Sequence, residues 1–471
     1  MKSGLPPGMT LTAANSVADA SLEVHDETRG GVRFVTFGCK ANQYDTQVLR
    51  EALTRRGWQE KGPRESAGLV VVNTCTVTAE AGRKARQLVR RLHRENPDVR
   101  IAMTGCLAES EPAILRALPG VEWVLGNGEA KRPANFLRHL GLESDPEEMG
   151  VPAGITAFAG HTRAFLKIQD GCDMACAFCI IPKVRGASQS RPVDELVAEV
   201  RGLVGSGHRE IVLCGIHIGH WGRDLGSNLG VLLEALAAVE VPGHDGLPQE
   251  WRLRLSSIEA TEVTGSVLDA MVRHPRRIAP HLHMPMQSGD DGTLKRMNRW
   301  YSAEEYVDCC REIRSRLDRP AFTADILVGF PGEDDAAFEM TLKTARQAGF
   351  CRIHVFPFSP RPGTAAENPA LLGGAVAPEV VRERRARLGE VAQELGNDFR
   401  RCLVGARETI VLEGGAGLSG RYQRVRIPLE SFQGPIPPVV EVELELDTPG
   451  QDSDGDPLVR LLGRPLLEQT Q

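Results

Sequence analysis

The chain has 471 residues, with 56 Lys and Arg against 62 Asp and Glu, a net charge of −6. That length predicts roughly two to four domains, and 41% apolar with 25% charged residues exclude wholesale disorder or a fibre. No run of about 18 apolar residues occurs, which argues against a membrane span.

Residues 1–30 lack the basic and apolar regions of a signal peptide, carry Glu23, Asp26 and Glu27, and are expected to be a disordered lead-in. From residue 31 strand and helix alternate: strands at Val32–Phe37, Leu69–Val72, Val99–Met103 and Val121–Leu125, helices near Tyr44–Arg56, Glu80–Arg94 and Glu111–Leu118. This alternation predicts an N-terminal parallel-sheet domain over residues 31–142. The Pro-, Gly- and acid-rich stretch 143–160 reads as a linker. A second α/β series over 161–378 offers strands at Phe165–Gln169, Glu210–Gly215, Arg252–Ser257, His281–Met286, Phe322–Val328 and Cys351–Phe356. Six strand–helix repeats suggest a partial (βα)6 barrel with its chemistry at the carboxyl ends of the strands. Glu379–Arg401 reads as a charged linking helix, and 402–468 as a small antiparallel β-barrel with strands at Glu408–Leu412, Arg424–Ile427 and Val439–Leu446. The fold class is therefore α/β, with a separate β unit at the C-terminus.

The eleven cysteines carry the chemistry. An odd count in a chain without a secretion signal disfavours a disulfide framework and leaves buried thiols or metal ligands. Cys39, Cys75 and Cys106 each fall just past the end of a predicted strand, so successive βα units return all three to one sheet edge, a candidate metal site. Cys172, Cys176 and Cys179 form a CxxxCxxC loop after the first strand of the second series. Three thiolates in so tight a loop point at one centre, which an iron–sulfur cluster or a zinc ion could occupy. Cys214, Cys309, Cys310, Cys351 and Cys402 lie in apolar or helical surroundings and read as buried thiols.

The CxxxCxxC loop, with Phe178 beside its last cysteine, resembles that of the radical S-adenosylmethionine superfamily. Thr36–Gln43, Asn73–Val77, Thr104–Cys106, His283–Gly289, Leu294–Met297, Asp325–Glu333 and Phe356–Ser359 narrow the resemblance to the methylthiotransferases. The GCKANQ and NTCTVT forms look most like the bacterial branch acting on threonylcarbamoyladenosine in tRNA. The other branches act on tRNA isopentenyladenosine and on a ribosomal-protein aspartate. The resemblance implies a transferase with two [4Fe–4S] clusters, one on Cys172, Cys176 and Cys179 and an auxiliary one on Cys39, Cys75 and Cys106. S-adenosylmethionine would serve as both methyl donor and radical source. It further implies a tRNA anticodon stem-loop as partner, an external electron donor, a sulfur donor, no membrane, a cytoplasmic location and a monomer. A rival of another class is a non-catalytic iron–sulfur RNA-binding redox sensor.

Phe178, Gln287, Ser288 and Asp325, beside the CxxxCxxC loop or at barrel strand ends, are candidates for contact with S-adenosylmethionine or substrate. For RNA, Arg83, Arg86, Arg90 and Arg94 share one predicted helix face, with counter-charge only from Glu80 and Glu95 at its ends. Arg421, Tyr422, Arg424 and Arg426 alternate cations with an aromatic, where the family's RNA-binding TRAM domain would lie.

Overall fold

A computed structural model describes residues 30–76, 79–128, 132–142, 154–158, 161–243, 246–413, 416–428, 430, 432, 436–447 and 460–466. The expected lead-in lies outside these, apart from residue 30, as does most of the expected linker.

The strands Val32–Thr36, Leu69–Thr74, Arg100–Gly105 and Val121–Leu125 form a parallel sheet in sequential order. The central strands Leu69–Thr74 and Arg100–Gly105 are almost wholly buried, as a sheet covered on both faces requires. The helix expected at Glu111–Leu118 is instead two short ones, Cys106–Ser110 and Pro112–Arg116, because Pro112 has no N–H to continue a helix.

The central unit holds two parallel three-stranded sheets. One is Arg163–Lys167, Glu210–Cys214 and Arg252–Leu255; the other is His281–His283, Ala321–Val328 and Arg352–Pro357. Parallel bridges at Leu253–Ile278 and Ser257–His283 join them into a curved six-stranded partial barrel. Its core runs from Leu166 and Leu213 through Leu253 and Leu282 to Phe322 and Phe350.

The helix Pro378–Cys402 leads to a closed five-stranded barrel of Arg407–Glu413, Ala416–Ser419, Arg424–Arg426, Val439–Asp447 and Arg460–Pro465. It departs from the antiparallel expectation in one pairing, Arg424–Arg426 beside Arg460–Pro465, which is parallel.

The small barrel plugs the amino-terminal end of the central strands. Glu210, fully buried, takes Arg252 at 2.6 Å and Arg254 at 2.8 and 2.9 Å. Arg252 donates onward to the Thr409 and Leu418 carbonyls, and Arg254 to those of Ser419 and Gly420. Burial opposes the Glu210 charge, but the two guanidinium groups outweigh it and hold its pKa down at about 2. The N-terminal unit sits at the opposite, carboxyl end of the central barrel, through Tyr44 with Glu199 and Arg191.

Candidate metal centres and the barrel lumen

Strand register brings the first three cysteines together. Thr74 pairs with Gly105, so Cys75 and Cys106 leave adjacent parallel strands side by side. Cys39 follows the neighbouring strand and occupies the N-cap position of the helix Lys40–Thr54 without a side-chain capping bond. A Cβ on Gly38, at φ +107°, would sit 2.7 Å from the Cys75 Cβ and 3.0 Å from its sulfur, so only glycine lets the Cys39 loop close on Cys75. Asn42 pins that loop by donating to the Phe37 and Thr74 carbonyls at 2.9 Å. Gly105, at φ +92°, turns the chain sharply into Cys106.

Cys172, Cys176 and Cys179 each meet hydrogen-bonding groups, Cys172 among them accepting from the Met174 amide at 3.5 Å. His217 Nδ1 lies 3.4 Å from the Cys172 sulfur, and Arg299 donates to the Cys176 sulfur at 3.3 Å. The backbone of Ile181 hydrogen-bonds Cys179. Burial pushes the Cys179 thiol up to about 11, despite that hydrogen bond, and also raises Cys176. Buried thiols of this kind keep their protons unless a metal takes the negative charge. A convergent set of N–H donors suits ligated thiolate sulfur, so the residues present fit a cluster. Burial likewise opposes the His217 charge, but hydrogen bonds to Cys172 and Glu262 hold its pKa up at about 9.

The two triads meet across Arg185. This side chain, 1% exposed, ends the helix Ile181–Arg185 that follows Cys179. Its guanidinium donates to Cys106 at 3.4 Å, to Asp170 at 2.8 and 2.9 Å, to Asp45 at 3.1 Å and to Asn42. Asp170 opens the CxxxCxxC loop; burial would raise its pKa, but Lys167 and Arg185 hold it at about 2. Cys106 packs against Ile180 and Val184, which follow the CxxxCxxC loop, and Cys214 is buried at the carboxyl end of a barrel strand. Both triads thus lie at the carboxyl end of the barrel. Arg185→Met should lower stability by about 3 kcal/mol, the low end for breaking a buried ion pair, because Lys167 still faces Asp45 and Asp170. Thermal denaturation measures the loss, and Arg185→Lys should recover part of it.

Beneath the triads, a cavity of about 280 Å³ fills the barrel lumen from Lys40 at the mouth to Tyr422 at the floor. Its wall is mixed: the charged and polar side chains of Arg254, His283, Asp325 and His354 face it beside Val212, Leu255 and Phe356. His283 Nε2 stands 3.4 Å from Asp325, and burial lowers the His354 pKa.

The candidates at the mouth divide. Asp325 lines the lumen. Gln287 is half-buried at φ +63°, its backbone clamped between the Asp325 carbonyl and the Leu327 amide at 2.9 Å each. Such a strained residue persists only where its surroundings over-determine it. Phe178 packs edge-on to Phe330, with ring centroids 6.4 Å apart. Ser288 departs from expectation: it is fully buried and turns away from the mouth, its Oγ 3.3 Å from Thr341 on the helix Asp335–Ala348.

The RNA candidates divide too. On the helix Ala79–Glu95, Arg90 and Arg94 are exposed and Arg83 pairs with Glu80. Arg86 is half-buried against Glu111 at 3.0 Å, a counter-charge that helix periodicity alone could not reveal. Arg424 and Arg426 are exposed, the latter paired with Asp447. Arg421 and Tyr422 have another task. Arg421 is held by Glu408 and Asp318, while Tyr422 stacks on His281 with centroids 4.4 Å apart, so both lock the small barrel onto the central one. Sequence reading missed Arg185, Arg299, Glu259 and Glu262, whose partners lie far along the chain. Lys40 is visible in the sequence within the GCKANQ motif, but only the fold places it at the lumen.

Residues 31–126 match the model of an uncharacterized protein family, UPF0004, and residues 166–345 that of the radical SAM superfamily. The chain is 36% identical over 409 residues to the threonylcarbamoyladenosine tRNA methylthiotransferase MtaB of Chlamydia pneumoniae, covering 86% of this chain and 93% of that protein. It is 37% identical over 382 residues to the MtaB of Bacillus subtilis, with 78% and 81% covered. It is also 36% identical over 405 residues to a tRNA-2-methylthio-N(6)-dimethylallyladenosine synthase of Cereibacter sphaeroides, with 82% and 88% covered. Among solved structures, the radical S-adenosylmethionine methyltransferase TsrM of Kitasatospora setae superposes with a TM-score of 0.52 over 82% of this chain and 79% of that one. At 14% identity that likeness is one of fold.

Proposed function

The chain belongs to the tRNA methylthiotransferase family of the radical S-adenosylmethionine superfamily, and we propose that it converts N6-threonylcarbamoyladenosine beside the tRNA anticodon to its 2-methylthio derivative. As a member of that family it is a tRNA-modifying transferase that works with S-adenosylmethionine and iron–sulfur chemistry. Carbon 2 of adenine has no leaving group and no useful acidity, so [4Fe–4S] clusters and S-adenosylmethionine supply the electron, the radical and the methylthio unit. The chain's own residues bind and orient. Cys172, Cys176 and Cys179 would hold one cluster and Cys39, Cys75 and Cys106 the other, with Arg185 fixing their separation. Phe178 and Phe330 wall the loop on one side. Exposed Arg90, Arg94 and Arg424 are available to RNA phosphates, and Arg426 would have to leave Asp447 to join them.

The choice of substrate rests on one observation, the charged wall of the lumen. A threonylcarbamoyl group carries a carboxylate and a hydroxyl that Lys40, His283 and Asp325 can pair. A dimethylallyl group would cover Lys40 without offering it a partner, at a cost of about 1–3 kcal/mol, whereas His283 and Asp325 already face each other at 3.4 Å. Mass spectrometry of tRNA nucleosides from a strain lacking the gene should show loss of the methylthio mark on threonylcarbamoyladenosine. Loss of the mark on isopentenyladenosine instead, or of neither, overturns the assignment. Lys40→Met should lower kcat/KM about 30-fold, equivalent to ~2 kcal/mol for one charged hydrogen bond.

A further inference from the structure

One short loop carries two acids whose partners face the CxxxCxxC cysteines. After the strand Arg252–Leu255 the chain runs Ser256-Ser257-Ile258-Glu259-Ala260-Thr261-Glu262. Three contacts fix this loop. The Ile258 amide donates to the His283 carbonyl at 3.0 Å, the Cys309 thiol to the Ala260 carbonyl at 3.0 Å, and the Trp300 indole to Thr261 at 3.1 Å. From this rigid base Glu259 grips Arg299, whose other nitrogen reaches the Cys176 sulfur at 3.3 Å. Three residues on, Glu262 takes His217 Nε2 at 2.8 Å, and His217 Nδ1 faces the Cys172 sulfur at 3.4 Å. Trp300 lies between the two arms, with the Arg299 guanidinium 4.4 Å from its ring centroid and the His217 ring 6.2 Å away.

His217, His220 and Glu262 each offer a ligand atom within 4.8 Å of the others, a spacing that a divalent ion would accept. The group is already closed, however. Both rings turn Nε2 to the carboxylate, the second nitrogen of His217 is taken up by Cys172, and the Arg223 guanidinium stands 3.4 Å from Glu262 where an ion's charge would fall. The carboxylate is an orienting group, as carboxylates behind ligand-facing histidines commonly are.

We propose that Glu259 and Glu262 are positioning residues that aim Arg299 and His217 as hydrogen-bond donors at the sulfurs of Cys176 and Cys172, and thereby raise the reduction potential of the cluster on that triad. The inference rests on the proposed cluster at Cys172, Cys176 and Cys179. One-electron reduction adds a negative charge that spreads onto the thiolate sulfurs, so an N–H held against sulfur stabilises the reduced form more than the oxidised one. A donor released from its carboxylate turns away or is shared with water, and the reduced form loses that advantage.

The test is potentiometric titration of the reconstituted holoenzyme with dithionite and mediators, followed by electron paramagnetic resonance. The cluster in question is the one whose signal changes when S-adenosylmethionine is added. Glu262→Gln and Glu259→Gln keep size and shape but remove the charge that orients the donor. Each is expected to lower the reduced fraction at fixed potential about tenfold, about 59 mV for one electron, with iron per chain unchanged. Glu234→Gln, which alters a surface pair with Arg273 and His274, should leave the potential at the wild-type value. An unmoved potential in both loop variants with iron retained overturns the proposal, and so does loss of iron, which would make the acids cluster-retaining instead. A wild-type protein whose clusters do not respond to S-adenosylmethionine would count against the proposed function itself, a failure separate from any difference between variants.

Discussion

Replacing Cys39, Cys75 and Cys106 together by alanine is expected to abolish methylthio transfer while S-adenosylmethionine cleavage to 5′-deoxyadenosine continues. Iron and acid-labile sulfide should fall from about eight to about four per chain. The division of labour follows from placement. These cysteines end strands of the N-terminal sheet, whereas the CxxxCxxC loop and its donors His217, Arg299 and Ile181 belong wholly to the central barrel. Removing three sulfurs leaves Asn42, Asn73 and Thr74 to hold the sheet edge through their own hydrogen bonds, so the variant should fold. The converse variant, alanine at Cys172, Cys176 and Cys179, should lose both products, because without the radical the C–H bond stays intact. Retention of eight irons, or of the methylthio nucleoside, in the first variant would remove the basis for an auxiliary cluster. A protein that held zinc would show neither iron nor sulfide.

The parts of this molecule legible in the sequence were those set by short-range periodicity. Three cysteines at the ends of successive strands implied one sheet edge, and the register of Thr74 with Gly105 puts Cys75 beside Cys106. The CxxxCxxC loop is legible because its three cysteines are local in sequence. Arg185 could not be read in the same way: its partners Asn42 and Asp45 lie 143 and 140 residues away, and only docking of two domains brings them together. Ser288 and Gln287 show a second limit. Adjacent positions at a strand end look equivalent in sequence, but the left-handed backbone at Gln287 sends Ser288 outward to Thr341. Arg421 and Tyr422 show a third: a basic–aromatic alternation is the same string whether it meets RNA or a neighbouring domain. What decided it was Glu408, Asp318 and His281, none of them within ten residues.

Glu210→Gln should be the most damaging single substitution outside the cysteine triads, costing about 3–5 kcal/mol. The reason is asymmetry. With glutamate, one carboxylate neutralises two guanidinium groups that are nearly without solvent, and both arginines spend their remaining donors on carbonyls of the small barrel. With glutamine, two positive charges remain in the same buried site with an amide that also presents donors to them. The arginines must then turn toward water, which breaks their contacts with Thr409, Leu418, Ser419 and Gly420 and uncaps the floor of the lumen at Tyr422. The expected signature is twofold: a lowered thermal midpoint, and protease cleavage between the central unit and Arg407–Pro465 before the central barrel itself is cut. Acid gives an independent check. The folded pKa of Glu210, about 2, lies below its ordinary 4.5, so its contribution is fully present above about pH 4.5 and is lost as pH falls toward 2. The wild-type protein should therefore lose stability steeply across that window, and the variant less so, because it has no Glu210 carboxylate left to protonate. Equal acid slopes in the two proteins would mean that the charge at Glu210 does not tie the small barrel to the central one.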